Sequence, residues 1–549
     1  MKSLRLQAVI LLFGVLAILA LPLSRPQKSY AIPAFARQYG TSCSTCHTDF
    51  PKLNDFGKAF KDAGFKFPKD DESMIKTPPV MLGAPAQSEM WPRVVWPGSI
   101  PGLPPIGLRM NSFFQVTGGK RGNFNTLLPP GEVPPFFTPR TDFQTGLFSI
   151  FTAGNFGSGI AFWVDDDISV AGANANGGLG DGYVRFVDVG RFLHLPKDSL
   201  SLRAGQFELD IPFSQARSYN ISPYDIYTQA NLGALNPAFS QQQFVNNAFA
   251  FAGASQGIEF SGGHSYGGYH YSIAIVNQNT SGTSDPGTFV PSATGGNNGG
   301  LGFFSDSNFK DLYARFSYRF KLERDRESRR AIQAAGATGQ RDHTYLNLGA
   351  YYFYGRSVQR VSGVNLVGDP MVLTAREPFY RVGGDFSFNY RNFNIYGLYM
   401  YGHDHNLLPI DGTGALVPLP PPGGPPSIIT GFIRGVPATF SGGFIQADYM
   451  PYPWMMVIMR YDAVNSGPDR LNGLAGADFT PFLLPFNSTR NRFTPGVQFL
   501  IRANIKASFE YQIRPQQFVT VITDPITGLP HATNPFRVNT AMVGLEFVY

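Results

Sequence analysis

Along most of this chain apolar and polar side chains alternate with a period of two, the signature of β-strands that present one face to a greasy surface and the other to water. In Leu312-Tyr313-Ala314-Arg315-Phe316-Ser317-Tyr318-Arg319-Phe320 one face reads Leu, Ala, Phe, Tyr, Phe and the other Tyr, Arg, Ser, Arg. From Lys506 to Arg514, Ala507, Phe509, Tyr511 and Ile513 share a face, with Lys506, Ser508, Glu510, Gln512 and Arg514 opposite. Asp385 to Tyr390 repeats the scheme. Connections alternate between long and short. Long ones are expected over 118–139, 168–180, 210–256, 277–308, 357–378, 404–437, 465–487 and 515–535. Short ones fall near Asn155, His194, Gly263, the charged stretch Glu323 to Gln340, Arg391-Asn392, Pro451 to Pro453 and Arg502-Ala503. Eight long loops and seven short turns predict about sixteen antiparallel strands, an even number, with long loops at one end and short turns at the other.

Composition decides what surrounds those strands. Aromatic residues make up 14% of the chain and charged residues only 15%, against about 25% charged in a soluble domain. Beyond the first 25 residues no apolar run approaches the ~20 positions a membrane helix needs. Low charge, many aromatics and no spanning helix point to an all-β transmembrane barrel over 105–549, placed in a bacterial outer membrane. The last strand carries Val543, Leu545, Phe547 and Tyr549 on one face, as expected for the strand that outer-membrane insertion recognises. The net charge of +6 is spread thinly, which argues against nucleic acid.

Residues 1–31 read as a secretory signal: Lys2 and Arg5, an apolar stretch from Ala8 to Leu21, then Ser29 and Ala31 at the −3 and −1 positions of a cleavage site. Export makes the cysteines informative. There are only two, and they stand in Cys43-Ser44-Thr45-Cys46-His47. This C-x-x-C-H is the attachment sequence for c-type haem: two thiols three positions apart reach two vinyl groups, and the adjacent imidazole ligates the iron. A thioredoxin-like motif would need a βαβ context, and a zinc site would need about four ligands. A tight disulfide loop is the remaining alternative.

Short helices are expected on both sides of the motif. Pro33 to Tyr39 enters it and Gly40 stops that helix. Leu53, Phe56, Phe60 and Ala63 recur at helical spacing until Gly64, which puts a Phe face towards a haem and Lys52, Lys58 and Lys61 outward. Met74, Met81 and Met90, a barrel histidine or no residue at all could complete the iron's coordination. Residues 66–104, with Trp91 and Trp96, read as a semi-rigid connector closing a 32–104 segment.

Phe35-Ala36-Arg37-Gln38-Tyr39-Gly40, the C-x-x-C-H, Pro51-Lys52-Leu53, Gly57, Phe60-Lys61 and Gly64 together resemble the fused monohaem cytochrome–porins of the outer membrane. That family is best known from bacteria that oxidise ferrous iron at the cell surface. The resemblance implies one covalent haem c on Cys43 and Cys46, with His47 as metal ligand. It implies a small α-helical cytochrome domain lodged in the barrel lumen. It also implies electron transfer between an extracellular partner, Fe(II) in the iron-oxidising members, and periplasmic c-type cytochromes. A diffusion porin with a tethered periplasmic cytochrome is the competing function. Lumen-side Arg315, Arg319 and Arg514 would then favour anions, whereas in the first reading they brace the plug.

Overall fold

The computed structural model describes residues 34–67, 71–76, 80–81, 85–90, 99–100, 106–117, 141–156, 159–167, 178–214, 218–229, 248–249, 254–277, 280–281, 309–322, 344–405, 407–415, 417, 428–435, 437–466, 489–502, 504–513, 521–523, 530–532 and 539–548. The expected signal segment, Trp91 and Trp96, the charged stretch Glu323 to Gln340 and Arg514 lie outside them.

Sixteen antiparallel strands close into one barrel. They are β1 (Ile106–Thr117), β2 (Thr141–Asn155), β3 (Ile160–Asp167) and β4 (Gly178–Phe186). Next come β5 (Ser201–Glu208), β6 (Ala254–Gly263), β7 (Gly268–Val276) and β8 (Asp311–Lys321). The wall continues with β9 (Tyr345–Val364), β10 (Pro370–Tyr390), β11 (Phe393–Asp404) and β12 (Ala438–Tyr452). It ends with β13 (Met455–Ser466), β14 (Thr489–Arg502), β15 (Ile505–Gln512) and β16 (Thr540–Val548). Every strand pairs with its sequence neighbours, and β16 pairs with β1 from Thr540↔Thr117 to Val548↔Arg109, which removes both sheet edges.

The alternation seen in the sequence maps onto the wall. On β8 Leu312, Phe316, Tyr318 and Phe320 are exposed on the outside, while Tyr313, Ser317 and Arg319 are buried inside. Outer-face aromatics gather at both rims. Tyr352, Tyr380 and Tyr401 lie in a row near the long-loop end, and Tyr452 stacks on Trp454 at the short-turn end with centroids 5.2 Å apart. A closed barrel with an even strand number, an apolar exterior and aromatic girdles satisfies all backbone groups internally and is built for the bacterial outer membrane.

One expected loop is not a loop. Residues 357–378 continue β9 and β10 in an unbroken ladder as far as Val364↔Pro370, so a hairpin rises beyond the ends of β8 and β11. Asn365 turns it, its Oδ1 accepting Val367 N–H and Asp369 N–H, both at 2.9 Å. Outside lipid a strand has no need of an apolar face, so the polar run Ser357 to Arg360 reads as loop by composition alone.

The lumen is filled from both ends. From the long-loop end the chain after β5 folds inward over 209–214 and 218–229, including the short helix α3 (Asp225–Gln229). Leu209, Ile211, Tyr224, Ile226 and Tyr227 are buried against inward Tyr313, Tyr351, Phe353, Tyr396 and Phe444, and Tyr224 stacks on Phe444 at 4.0 Å. Polar anchors hold the segment to the wall. Arg460 donates to Ser222 O (3.0 Å), Ser222 Oγ (2.7 Å) and Pro223 O (3.1 Å), and its Nε pairs with Asp462 at 2.8 Å. Arg492 bridges Asp225 and Asp462, each at 3.1 Å. Glu510 accepts from Ile221 N–H and Ser222 N–H. Buried charges of this kind persist only when paired. From the short-turn end the lumen receives residues 34–67, described below.

Two outcomes are expected. Epitope tags in 418–427 are reached by antibody on intact cells, and a tag at Arg391-Asn392 is reached only after permeabilisation; the reverse pattern inverts the barrel. Arg460→Ala leaves Ser222 O without its donor and takes one of two guanidinium partners from Asp462, Arg492 being the other, so the loss is expected below the about 3–5 kcal/mol of a fully broken buried pair. It should free 209–229, seen as new protease cleavage there and a lower unfolding temperature, with the barrel's β-content retained.

Candidate functional site

The N-terminal unit begins with α1 (Ala34–Tyr39) and reaches the motif through a single 3-10 turn, Cys43–Thr45, in which Cys46 N–H donates to Cys43 O at 3.2 Å. A tight reversal, His47–Asp49 against Lys52–Leu53, then leads into α2 (Asp55–Asp62). Asn54 joins these parts. Its Oδ1 caps α2 by accepting Gly57 N–H at 2.8 Å, its Nδ2 donates to Ser44 O and Thr45 O, and its own N–H donates to Cys46 O at 2.9 Å. With 1% of its surface exposed, Asn54 holds the helix against the motif turn. Gly57 makes that approach possible, since a Cβ there would lie 2.1 Å from Cys46 O. Gly64, at φ +76°, ends the helical segment where a Cβ would strike Val187 at 2.9 Å. Both expected helices are present among the described residues: α1 covers Ala34–Tyr39 of the expected Pro33–Tyr39, and α2 is three residues shorter than Leu53–Ala63, because Leu53 pairs in the tight reversal and Asn54 caps the helix.

Cys43, Cys46 and His47 line one cavity of about 340 Å³. Both thiols are free, and burial pushes each up, Cys46 to about 12 with Cys43 beside it adding to the effect. Such thiols stay protonated, unlike the low-pKa thiolates of redox-active C-x-x-C pairs. Burial also lowers His47 to about 4, so its imidazole is neutral. Its Nδ1–H donates to Pro51 O at 3.2 Å, which leaves Nε2 as the free lone pair.

Aromatic rings enclose the rest. Phe35 stacks on Phe65 at 5.4 Å and Tyr39 on Phe67 at 4.2 Å, while Phe60 meets Phe35 and Tyr39 edge-on. Tyr39 Oη donates to Asp71 Oδ1 at 2.7 Å, and burial with the neighbouring Asp71 carboxylate pushes the phenol well above its usual range. Phe56 packs on Phe67. Lys61 lines the cavity rather than facing away, a departure from the expected outward lysine face.

The barrel supplies the other wall. Arg109, Phe151, Trp163 and Tyr183 face the same space, Trp163 stacking on Phe151 at 5.6 Å and tilting over Phe65 at 5.8 Å. None of these was singled out from the sequence, because alternation tells which side a residue faces but not what it meets there. Asn54 was legible in principle as a cap before a helical run. Met74 and Met90 are 44% and 68% exposed and do not line the cavity. The Met81 side chain lies outside the described ones. Among the described residues the cavity wall carries no methionine and no histidine besides His47.

Ion pairs and hydrogen bonds fix the unit in the lumen. Arg319 pairs with Asp55, and Asp62 accepts from Ser265 N–H at 3.1 Å and Ser265 Oγ at 2.8 Å. Lys506 Nζ donates to Phe50 O at 2.8 Å and pairs with Glu546 at 2.9 Å, and Glu546 also binds Arg109 at 2.7 Å. Lys52 reaches furthest. Its Nζ lies 5.0 Å from the ring centres of Tyr219, in the inward loop, and Tyr396, and 4.0 Å from Asp448. Arg315 serves the inward loop instead, binding Asp210 at 3.4 Å and Asp385 at 3.0 Å.

No family model and no curated protein matches the chain. Among solved structures it is similar to the outer membrane channel DcaP of Acinetobacter baumannii, at 9% identity over 81% of this chain and 96% of that one, TM-score 0.40. It is likewise similar to an anion-selective porin from Comamonas acidovorans, at 11% identity over 81% and 98%, TM-score 0.42. A third is OmpT of Vibrio cholerae, at 7% identity over 81% and 97%, TM-score 0.41. The sixteen-strand architecture rests on the strand pairing itself and not on these likenesses.

Proposed function

We propose that this chain is an outer-membrane electron carrier holding one covalent haem c, which exchanges electrons between an extracellular donor such as Fe(II) and periplasmic c-type cytochromes. The observation that carries the reading is the cavity in which two free thiols and a neutral imidazole meet, more of its wall coming from the N-terminal unit and the rest from the barrel. The donor set fits the group: Cys43 and Cys46 for the two thioethers, and His47 Nε2 for the iron, with its tautomer fixed by Pro51. When bound, haem supplies a one-electron couple set by ligation and burial.

The chain's own contribution is positioning and exclusion of water. Asn54 and Gly57 hold the motif turn against α2, so the thiols and the imidazole keep a fixed relation. Phe35, Phe60, Phe65 and Trp163 make one part of the cavity apolar, while Lys61, Arg109, Asp165, Asp181 and Glu208 line it with charge. The N-terminal unit in this reading is the small cytochrome domain expected from the sequence. Its pairing with Arg319 and Lys506 supports the bracing role of lumen cations over an anion path.

Two measurements test this. Protein from a haem-maturing host should gain one haem by intact mass and keep it through acid–acetone extraction, and Cys43→Ala/Cys46→Ala should lose the adduct. No added mass in the parent protein would end the haem reading. In planar bilayers the full chain should conduct poorly, and a variant lacking residues 34–104 should conduct more. Porin-like conductance by the full chain would favour the diffusion channel instead.

A further inference from the structure

The long-loop rim of the barrel carries a second group of metal-ligating side chains, on the outer face of the wall. His403 lies near the end of β11, and His405 extends the same ladder, its N–H donating to Pro378 O at 3.0 Å. The period of two puts both histidines on the outward side, while Asp404 between them turns inward to its pair with the fully buried Arg381.

The two imidazole centroids are 4.9 Å apart, with planes 69° to one another. Imidazole nitrogens bind transition metals at about 2.0–2.1 Å, so each ring centre stands roughly 3 Å from the ion, and two ligands at near-tetrahedral or square angles bring ring centres to about 4.5–5 Å. The observed spacing falls within that range. His403 is held in place by Tyr380, stacked on it at 5.1 Å with planes 6° apart. Its Nδ1 is buried without a hydrogen-bond partner, a state that leaves a polar atom unsatisfied unless something binds it. No third His, Cys, Asp or Glu joins them among the described residues, so water would complete the coordination.

We propose that His403 and His405 form a bidentate site for a divalent transition-metal ion at the outer rim of the barrel. Imidazole pairs suit copper, nickel, zinc and iron, and the order of intrinsic affinities makes Cu(II) the most sensitive probe. The proposal does not depend on haem, since neither residue lines the haem cavity.

The test is Cu(II) titration of the full chain in detergent, purified without a polyhistidine tag and followed by electron paramagnetic resonance. One Cu(II) per chain with coupling to two imidazole nitrogens is expected. His403→Ala and His405→Ala should each weaken binding by more than an order of magnitude, with the unfolding temperature unchanged. Retention of the same affinity and spectrum in the double variant would mean that other histidines bind the copper, and would overturn the proposal. So would a parent protein that binds no more tightly than the double variant.

Discussion

A sheet that crosses lipid must leave no backbone group unpaired, and everything else in this molecule follows from that requirement. Closure of β16 onto β1 removes the edges, but sixteen strands enclose a lumen far wider than their own side chains can fill. The chain answers with two insertions from opposite ends. Residues 209–214 and 218–229 enter from the long-loop end on an apolar cluster locked by Arg460 and Arg492, and residues 34–67 enter from the other. The inner wall accordingly bears buried Tyr and Phe beside paired charges, where a water-filled pore would carry solvated ones.

The two insertions meet at Lys52. Its ammonium lies between Tyr219 of the inward loop and Tyr396 of the wall, close to Asp448. Lys52 directly follows Pro51, whose carbonyl fixes the His47 tautomer. A contact at the inner tip of an external loop is thus one residue from the carbonyl that orients the His47 ring. Cation–π contacts at a partly exposed lysine contribute about 0.5–1 kcal/mol each, and here two of them couple the seating of loop and unit.

Much of this was legible before any coordinates, for physical reasons that also mark the limits. Lipid demands an apolar residue at every second position, so Leu312 to Phe320 declared its strand and its outer face. The motif Cys43 to His47 is local, and local chemistry is written in adjacent letters. The extended hairpin of β9 and β10 was not legible, because strands in water are released from the alternation. Nor was the inward course of 209–229. Ile221, Ser222 and Asp225 acquire their meaning from Glu510, Arg460 and Arg492, more than two hundred positions away. The barrel half of the cavity was hidden for the same reason: Trp163 and Arg109 are ordinary inward residues until something stands opposite them.

The ions at the closing joint tie the wall to what it encloses. Arg109 on the first strand, Glu546 on the last and Lys506 on the one before it converge beside the Phe50 carbonyl. The joint between first and last strands and the seat of the N-terminal unit are therefore one structure. Removing the unit would take from Lys506 its Phe50 acceptor at the seam where the first and last strands meet, so what fills the lumen and what closes the wall share one set of charges.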